Sequence, residues 1–147
     1  MQVIATDISQ EMVIRCQEGQ YSQLEVNRGL TDPVLKKYFL QNDRGWKVRD
    51  DVRSKIECRE MNLAGPWPAF PKLDLVFLRN VMIYFDLHTK KRILGNIRGL
   101  LEPHGYLVLG ASESTMNLDD QYERWTISGT SVYRLKKERD VFPHAVS

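Results

Sequence analysis

A strand, a helix, a polar insertion, a strand, a helix, a strand and a closing hairpin, in that order, predict an α/β fold with an open, mostly parallel sheet. Three observations carry this expectation. Met1–Asp7 is a short apolar run ending at an acid, with a helical pattern directly behind it. Leu73–Leu78 and Tyr106–Leu109 are apolar runs separated by an amphipathic stretch, the pattern of a strand–helix–strand crossover. Tyr106-Leu107-Val108-Leu109 is apolar without a break, which fits a strand buried on both faces.

Each element has its own warrant. Ser9 suits a helix N-cap, Met12, Val13 and Cys16 share one face behind it, and Gly19 closes the helix. Residues 20–60 are more polar and basic than their flanks and read as an insertion on the α/β core. Within it, Asp32-Pro33 predicts a helix start, with the cap residue ahead of a proline at the first helical position. Leu35, Tyr38 and Phe39 supply its apolar face, and Asn42-Asp43-Arg44-Gly45 is a turn signal. Trp46–Val48 and Lys55–Cys58 alternate in polarity and predict a small antiparallel hairpin. The inserted β-subdomain is placed at 21–57, inside a domain of residues 1–135.

Asp86 predicts the cap of a helix with apolar positions Ile93, Leu94, Ile97, Leu100 and Leu101, stopped by Pro103-His104-Gly105. Residues 123–127 and 131–135 predict a hairpin around Ser128-Gly129-Thr130, and residues 136–147 a loose tail.

Composition removes several classes. Twenty-one Lys and Arg against nineteen Asp and Glu leave a net charge of +2, too small to argue for nucleic acid or an anionic membrane surface. No apolar run is long enough for a membrane-spanning helix, and no signal peptide is legible, so a cytoplasmic location is expected. Cys16 and Cys58 do not make a disulfide scaffold. His88, His104 and His144 lack metal-ligand spacing, so no metal site is expected.

Open α/β sheets bind ligands beyond the carboxyl ends of their strands. Asp7, Asn62 and Arg79-Asn80 all fall at such ends. A carboxylate there offers two acceptors to a ribose diol, although Asp and Asn at strand ends also serve as turn formers and helix caps. Gly110-Ala111-Ser112-Glu113-Ser114 is close to a nucleophile elbow, but its fifth position is serine where that motif needs glycine, and no histidine partners it. Trp46, Trp67 and Trp125 read as packing residues. The charged stretch Arg44–Lys55 reads either as a solvated face or as a docking surface.

The block Arg79-Asn80-Val81-Met82-Ile83-Tyr84-Phe85-Asp86 is more specific. Together with Ala5-Thr6-Asp7-Ile8-Ser9, Asn62-Leu63 and Gly110–Ser114, it resembles the chemotaxis receptor methyltransferases, the CheR-type family, over roughly residues 3–135. The resemblance implies a Rossmann-like methyltransferase fold. It also implies transfer of a methyl group from S-adenosylmethionine to glutamate side chains of chemoreceptors, leaving S-adenosylhomocysteine. Position by position, Asp7 matches the acid that holds the ribose hydroxyls. Asn62 and Leu63 match residues lining the adenine pocket, and Arg79 and Asn80 match a pair near the amino-acid end of the cofactor. Tyr84 matches a tyrosine facing the methyl-transfer centre, where Arg79 also acts. The segment near 21–57 matches a subdomain that docks the receptor's cytoplasmic domain, and its short Gln41–Trp46 connection matches members that need no receptor pentapeptide. Such chemistry needs no general base, because glutamate, with a reference pKa of about 4.3, is already ionised at neutral pH.

The departures from that family set further expectations. Its glycine-rich cofactor loop and N-terminal helical domain have no counterpart here. The chain is therefore read as incomplete at its N-terminus. It is expected to be weak or inactive alone, completed by an N-terminal half in trans or by strands swapped with a second copy. The alternative is a non-catalytic module that docks a receptor or partner. The strand missing between those ending at Asp7 and Leu78 is expected to leave their edges unpaired.

Overall fold

The computed structural model describes residues 1–137. These residues form two compact units, one of Met1–Trp67 and one that begins at Pro68. Most of the predicted tail, residues 138–147, lies outside the described residues.

The first unit runs β1 (Val3–Asp7), α1 (Gln10–Glu18), β2 (Gln20–Tyr21), α2 (Gln23–Asn27), α3 (Asp32–Tyr38), β3 (Phe39–Asn42), β4 (Gly45–Val48), α4 (Asp50–Arg53) and β5 (Ile56–Glu60). β1 and β5 pair in parallel from Val3–Ile56 to Asp7–Glu60, and α1 packs against both. Ser9 caps α1 as expected, its Oγ accepting the Met12 N–H at 3.4 Å. Gly19 ends the helix in the left-handed region at φ 64° and donates to the Arg15 carbonyl.

β2, β4 and β3 make a separate antiparallel sheet. Its hairpin turns at Asp43-Arg44, with Asn42 opposite Gly45. Gly45 sits at φ 118°, and a Cβ there would run into the Tyr21 carbonyl oxygen. Ser22 and Glu25 form a capping box on α2, and Glu25 also pairs with Arg15 at 2.6 Å. The Ser22 N–H, then the Arg15 guanidinium, hold the Glu25 carboxyl down at about 2. Trp46 packs here and donates its indole N–H to Gln23 at 2.8 Å.

Two local expectations for this unit are corrected. Trp46–Val48 pairs with Phe39–Asn42 and with Gln20–Tyr21, not with Lys55–Cys58. The two-residue turn brings Phe39–Asn42 alongside, while Ile56–Glu60 is taken by the parallel pairing with β1. α3 also begins one residue early. Thr31 stands at the cap position without a side-chain hydrogen bond, and its carbonyl accepts the Leu35 N–H, so Asp32 is already helical and Pro33 follows it.

The second unit comprises β6 (Leu73–Leu78), a 3-10 turn at Met82–Tyr84, α5 (Leu87–Leu100), β7 (Leu101–Leu109), β8 (Tyr122–Ile127) and β9 (Thr130–Leu135), with sheet order β6-β7-β9-β8. β6 and β7 are parallel, and the β8–β9 hairpin closes the sheet antiparallel. Ser128 and Gly129, both at positive φ, form its tight turn. Asp86 caps α5 by accepting the Thr89 N–H at 2.7 Å. The helix ends at Leu100, not at Pro103, and β7 begins directly with Leu101. Pro103-His104-Gly105 is absorbed as an irregularity in the β6–β7 register, which passes from Leu73–Leu101 to Leu75–Tyr106.

Ile93, Leu94, Leu101 and Leu107 are fully buried in this unit's core. The buried Tyr122 hydroxyl donates to the Leu94 carbonyl at 2.8 Å, joining β8 to α5. Leu75 and Phe77, in register with Tyr106 and Val108, leave an apolar sheet face exposed. Among the described residues, β1 has β5 as its one strand neighbour and β6 has β7. Each therefore carries one edge without a strand neighbour among the described residues.

Candidate functional site

The carboxyl ends of the two parallel pairs place the residues singled out from the sequence. In the first unit, Asp7 ends β1 and Asn62 follows β5, and the Met61 N–H donates to the Asp7 carbonyl at 2.8 Å. Asp7 Oδ1 accepts the Ser9 N–H at 2.8 Å, which sets the chain for the α1 cap. Its second oxygen has no hydrogen bond among the described residues and the residue is exposed. Asn62 Oδ1 accepts the Ala64 N–H at 2.9 Å, a turn-forming bond that orients its amide. Leu63 is half-buried, and its carbonyl accepts the Trp67 indole N–H at 3.0 Å. The turn-forming roles weighed for Asp7 and Asn62 are thus real, and each leaves polar atoms available for a ligand.

In the second unit, Arg79 and Asn80 follow β6. Arg79 is exposed and makes no ion pair among the described residues. Asn80 lies in the left-handed region at φ 58°, uncommon for a residue other than glycine. Tyr84 ends the 3-10 turn with 80% of its surface exposed, so it is not a buried packing aromatic. Asp7, Asn62 and Leu63 gather at one strand pair, and Arg79, Asn80 and Tyr84 at the other.

One residue of this region was missed as a site residue. Glu113, in the loop after β7, is only 9% exposed. Its Oε2 accepts the N–H groups of Asn80 at 2.7 Å and Gly110 at 2.8 Å. Its Oε1 accepts those of Val81 at 3.0 Å and Met82 at 2.8 Å. Burial pushes this carboxyl up, but the four donors outweigh it and hold the group below the usual carboxylate range. Gly110 has no room for a side chain, since a Cβ would meet Asn80 Oδ1 and, at 2.7 Å, Glu113 Oε2. The readable signal was the spacing of an acid three residues after a strand-ending glycine.

The nucleophile-elbow reading finds nothing in its favour. Ser112 is exposed, and Ser114 Oγ accepts the Met116 N–H at 3.0 Å. His104 faces Asp74 at 2.8 Å instead. Among the described residues, no group of three His, Cys, Asp or Glu side chains could hold a metal ion, and no helix is long and apolar enough to cross a membrane.

Residues 1–131 match the family described as "CheR methyltransferase, SAM binding domain". The chain belongs to that family. Curated CheR relatives agree. Chemotaxis protein methyltransferase 1 of Pseudomonas aeruginosa is 42% identical over 137 residues, covering 92% of this chain and 50% of that protein. Chemotaxis protein methyltransferase Cher2 of Pseudomonas putida is 41% identical over 136 residues, with 92% and 50% covered. The Escherichia coli chemotaxis protein methyltransferase is 33% identical over 141 residues, with 92% and 48% covered. This CheR-family chain thus spans about half the length of the relatives it matches.

S-adenosylmethionine is the cofactor of the CheR domain. Within each unit the donor types suit part of such a ligand: a carboxylate oxygen and an amide in the first, and a guanidinium with no ion pair among the described residues, next to Asn80, in the second.

Proposed function

We propose that this chain carries the cofactor-binding part of a protein-glutamate O-methyltransferase acting on the cytoplasmic domain of chemoreceptors. The observation that carries the reading is the placement of ligand-competent polar groups at the carboxyl ends of both parallel pairs, with Asn80 held in its left-handed conformation. The bound cofactor supplies a methyl group on a positively charged sulfur.

The chain's own residues bind and orient. Asp7 accepts from the ribose hydroxyls through its open oxygen, while Asn62 and Leu63 border the adenine. Arg79 counters the carboxylate of the ligand's amino-acid end, and Asn80 hydrogen-bonds beside it. Tyr84, exposed at the end of its turn, offers a hydroxyl to the reacting carboxylate. An ionised glutamate needs no proton removed. Positioning and exclusion of water therefore supply the acceleration as the two opposite charges fade.

The antiparallel β2-β4-β3 sheet is the surface proposed to meet the receptor. The open edges of β1 and β6 are proposed to pair with strands from outside this chain, an N-terminal half or a second copy, so turnover by residues 1–147 alone should be weak or absent. A non-catalytic docking module is the competing reading, and it predicts no cofactor binding even when the chain is completed.

Titration with S-adenosylhomocysteine tests the proposal, using the chain alone and with an added N-terminal half. Saturable binding that Asp7→Ala weakens at least tenfold is expected. Binding untouched by Asp7→Ala removes the ribose role, and no binding in either sample favours the docking module.

A further inference from the structure

Three consecutive backbone N–H groups, those of Asn80, Val81 and Met82, converge on the Glu113 carboxylate. Asn80 is left-handed and Val81, at φ −120° and ψ −40°, is right-handed. Alternation of this kind makes a concave cluster of N–H donors that captures anions. Here the captured anion is internal. Glu113 also takes the Gly110 N–H, so each carboxylate oxygen accepts two donors and the loops after β6 and β7 are joined through one side chain.

The arrangement fixes more than the backbone. The Asn80 side-chain oxygen lies over Gly110, in the space a Cβ would fill. Met82, next along, is 2% exposed and anchors the turn that leads to Tyr84. Arg79 and Tyr84, one on each side of the clamped stretch, stay exposed.

We propose that Glu113 is a positioning residue of the cofactor site: its carboxylate fills the N–H cluster at the end of β6, locks Asn80 left-handed and leaves the ligand's own carboxylate to Arg79. This rests on the reading of Arg79 and Asn80 as cofactor contacts. No other described side chain reaches these four donors, and Glu113 touches neither Arg79 nor Tyr84 by a hydrogen bond. Glutamine cannot replace it, because an amide offers one acceptor oxygen and turns an NH2 donor toward two N–H donors.

The test is S-adenosylhomocysteine titration of the full chain up to millimolar concentration, followed by amide NMR, in wild type, Glu113→Gln and Glu113→Asp. In Glu113→Gln, the Asn80, Val81, Met82 and Gly110 amides should shift while those of buried Ile93 and Leu107 stay. Affinity should fall at least tenfold, and Glu113→Asp should restore part of it. In wild type, the four amides should follow one titration on acidification, with affinity falling along the same curve. Wild-type-like affinity in a folded Glu113→Gln overturns the proposal and leaves the function standing. Should that variant not fold, affinity that stays flat through the wild-type amide titration overturns it instead. Absence of wild-type binding at millimolar ligand, both alone and with an added N-terminal half, removes the cofactor reading, and this proposal with it.

Discussion

Replacing Gly110 by alanine should cost the second unit more than its one added methyl suggests. The new Cβ would fall against Asn80 Oδ1, 2.7 Å from Glu113 Oε2 and 2.9 Å from Asn80 N. The last two are a carboxylate oxygen already committed to two of that group's four donors and a backbone nitrogen, so neither moves freely. Shifting Oε2 removes the acceptor shared by the Asn80 and Gly110 N–H groups, and a buried donor left unpaired costs about 1–3 kcal/mol. Overpacking adds about 1–3 kcal/mol. Partial relaxation overlaps the two effects, so a loss of about 3 kcal/mol is expected. Gly95 supplies the control, since it lies inside α5 with nothing within 4 Å of a built Cβ. Gly95→Ala should stabilise the same unit by about 0.5–1 kcal/mol. Urea unfolding by circular dichroism, with hydrogen exchange of β7 amides to isolate this unit, measures both. A Gly110→Ala loss below about 0.5 kcal/mol at unchanged urea slope would refute the account of Glu113 as a fully engaged buried acceptor.

Other outcomes follow from contacts already described. Tyr122→Phe removes a buried hydroxyl bond to Leu94 and should cost about 1 kcal/mol, read as a lower urea midpoint for the second unit. The Glu25 carboxyl sits at about 2 in the folded chain, below its unfolded value near 4.3, so its stabilisation is complete above that value and is lost as pH falls toward 2. Carbon-13 NMR of its carboxyl should show that low midpoint, and Arg15→Met should raise it; an ordinary midpoint in wild type contradicts the described bonds. The Asp7→Ala and Glu113→Gln titrations address the site itself.

Local grammar was legible from the residues. Ser9 and Gly19 bound α1, and Asp86 caps α5, because caps depend on one side chain and its nearest neighbours. The β8–β9 hairpin was legible for the same reason, its turn residues lying between its strands. Partner choice was not. Alternation in Trp46–Val48 says that a strand exists, not that Phe39–Asn42 and Gln20–Tyr21 flank it. The strand that absorbs Pro103-His104-Gly105 was hidden because its pairing with β6 tolerates an irregularity that punctuation residues ordinarily forbid. Asp7, Asn62, Arg79 and Asn80 were legible as polar residues at or just after strand ends. Glu113 escaped because three of its four partners are backbone groups some thirty positions upstream, and backbone donors leave no letter in a sequence.

The parallel pair β1–β5 sets an order of events during folding. Val3 meets Ile56 only after α1, the whole antiparallel sheet and α4 have been made. Closing so long a loop has an entropic cost before any ladder bond repays it, so this pairing is slow relative to the local β3–β4 and β8–β9 hairpins. β1 is therefore among the last strands of its unit to find its neighbour. Until then its apolar edge is available to chaperones and to other nascent chains.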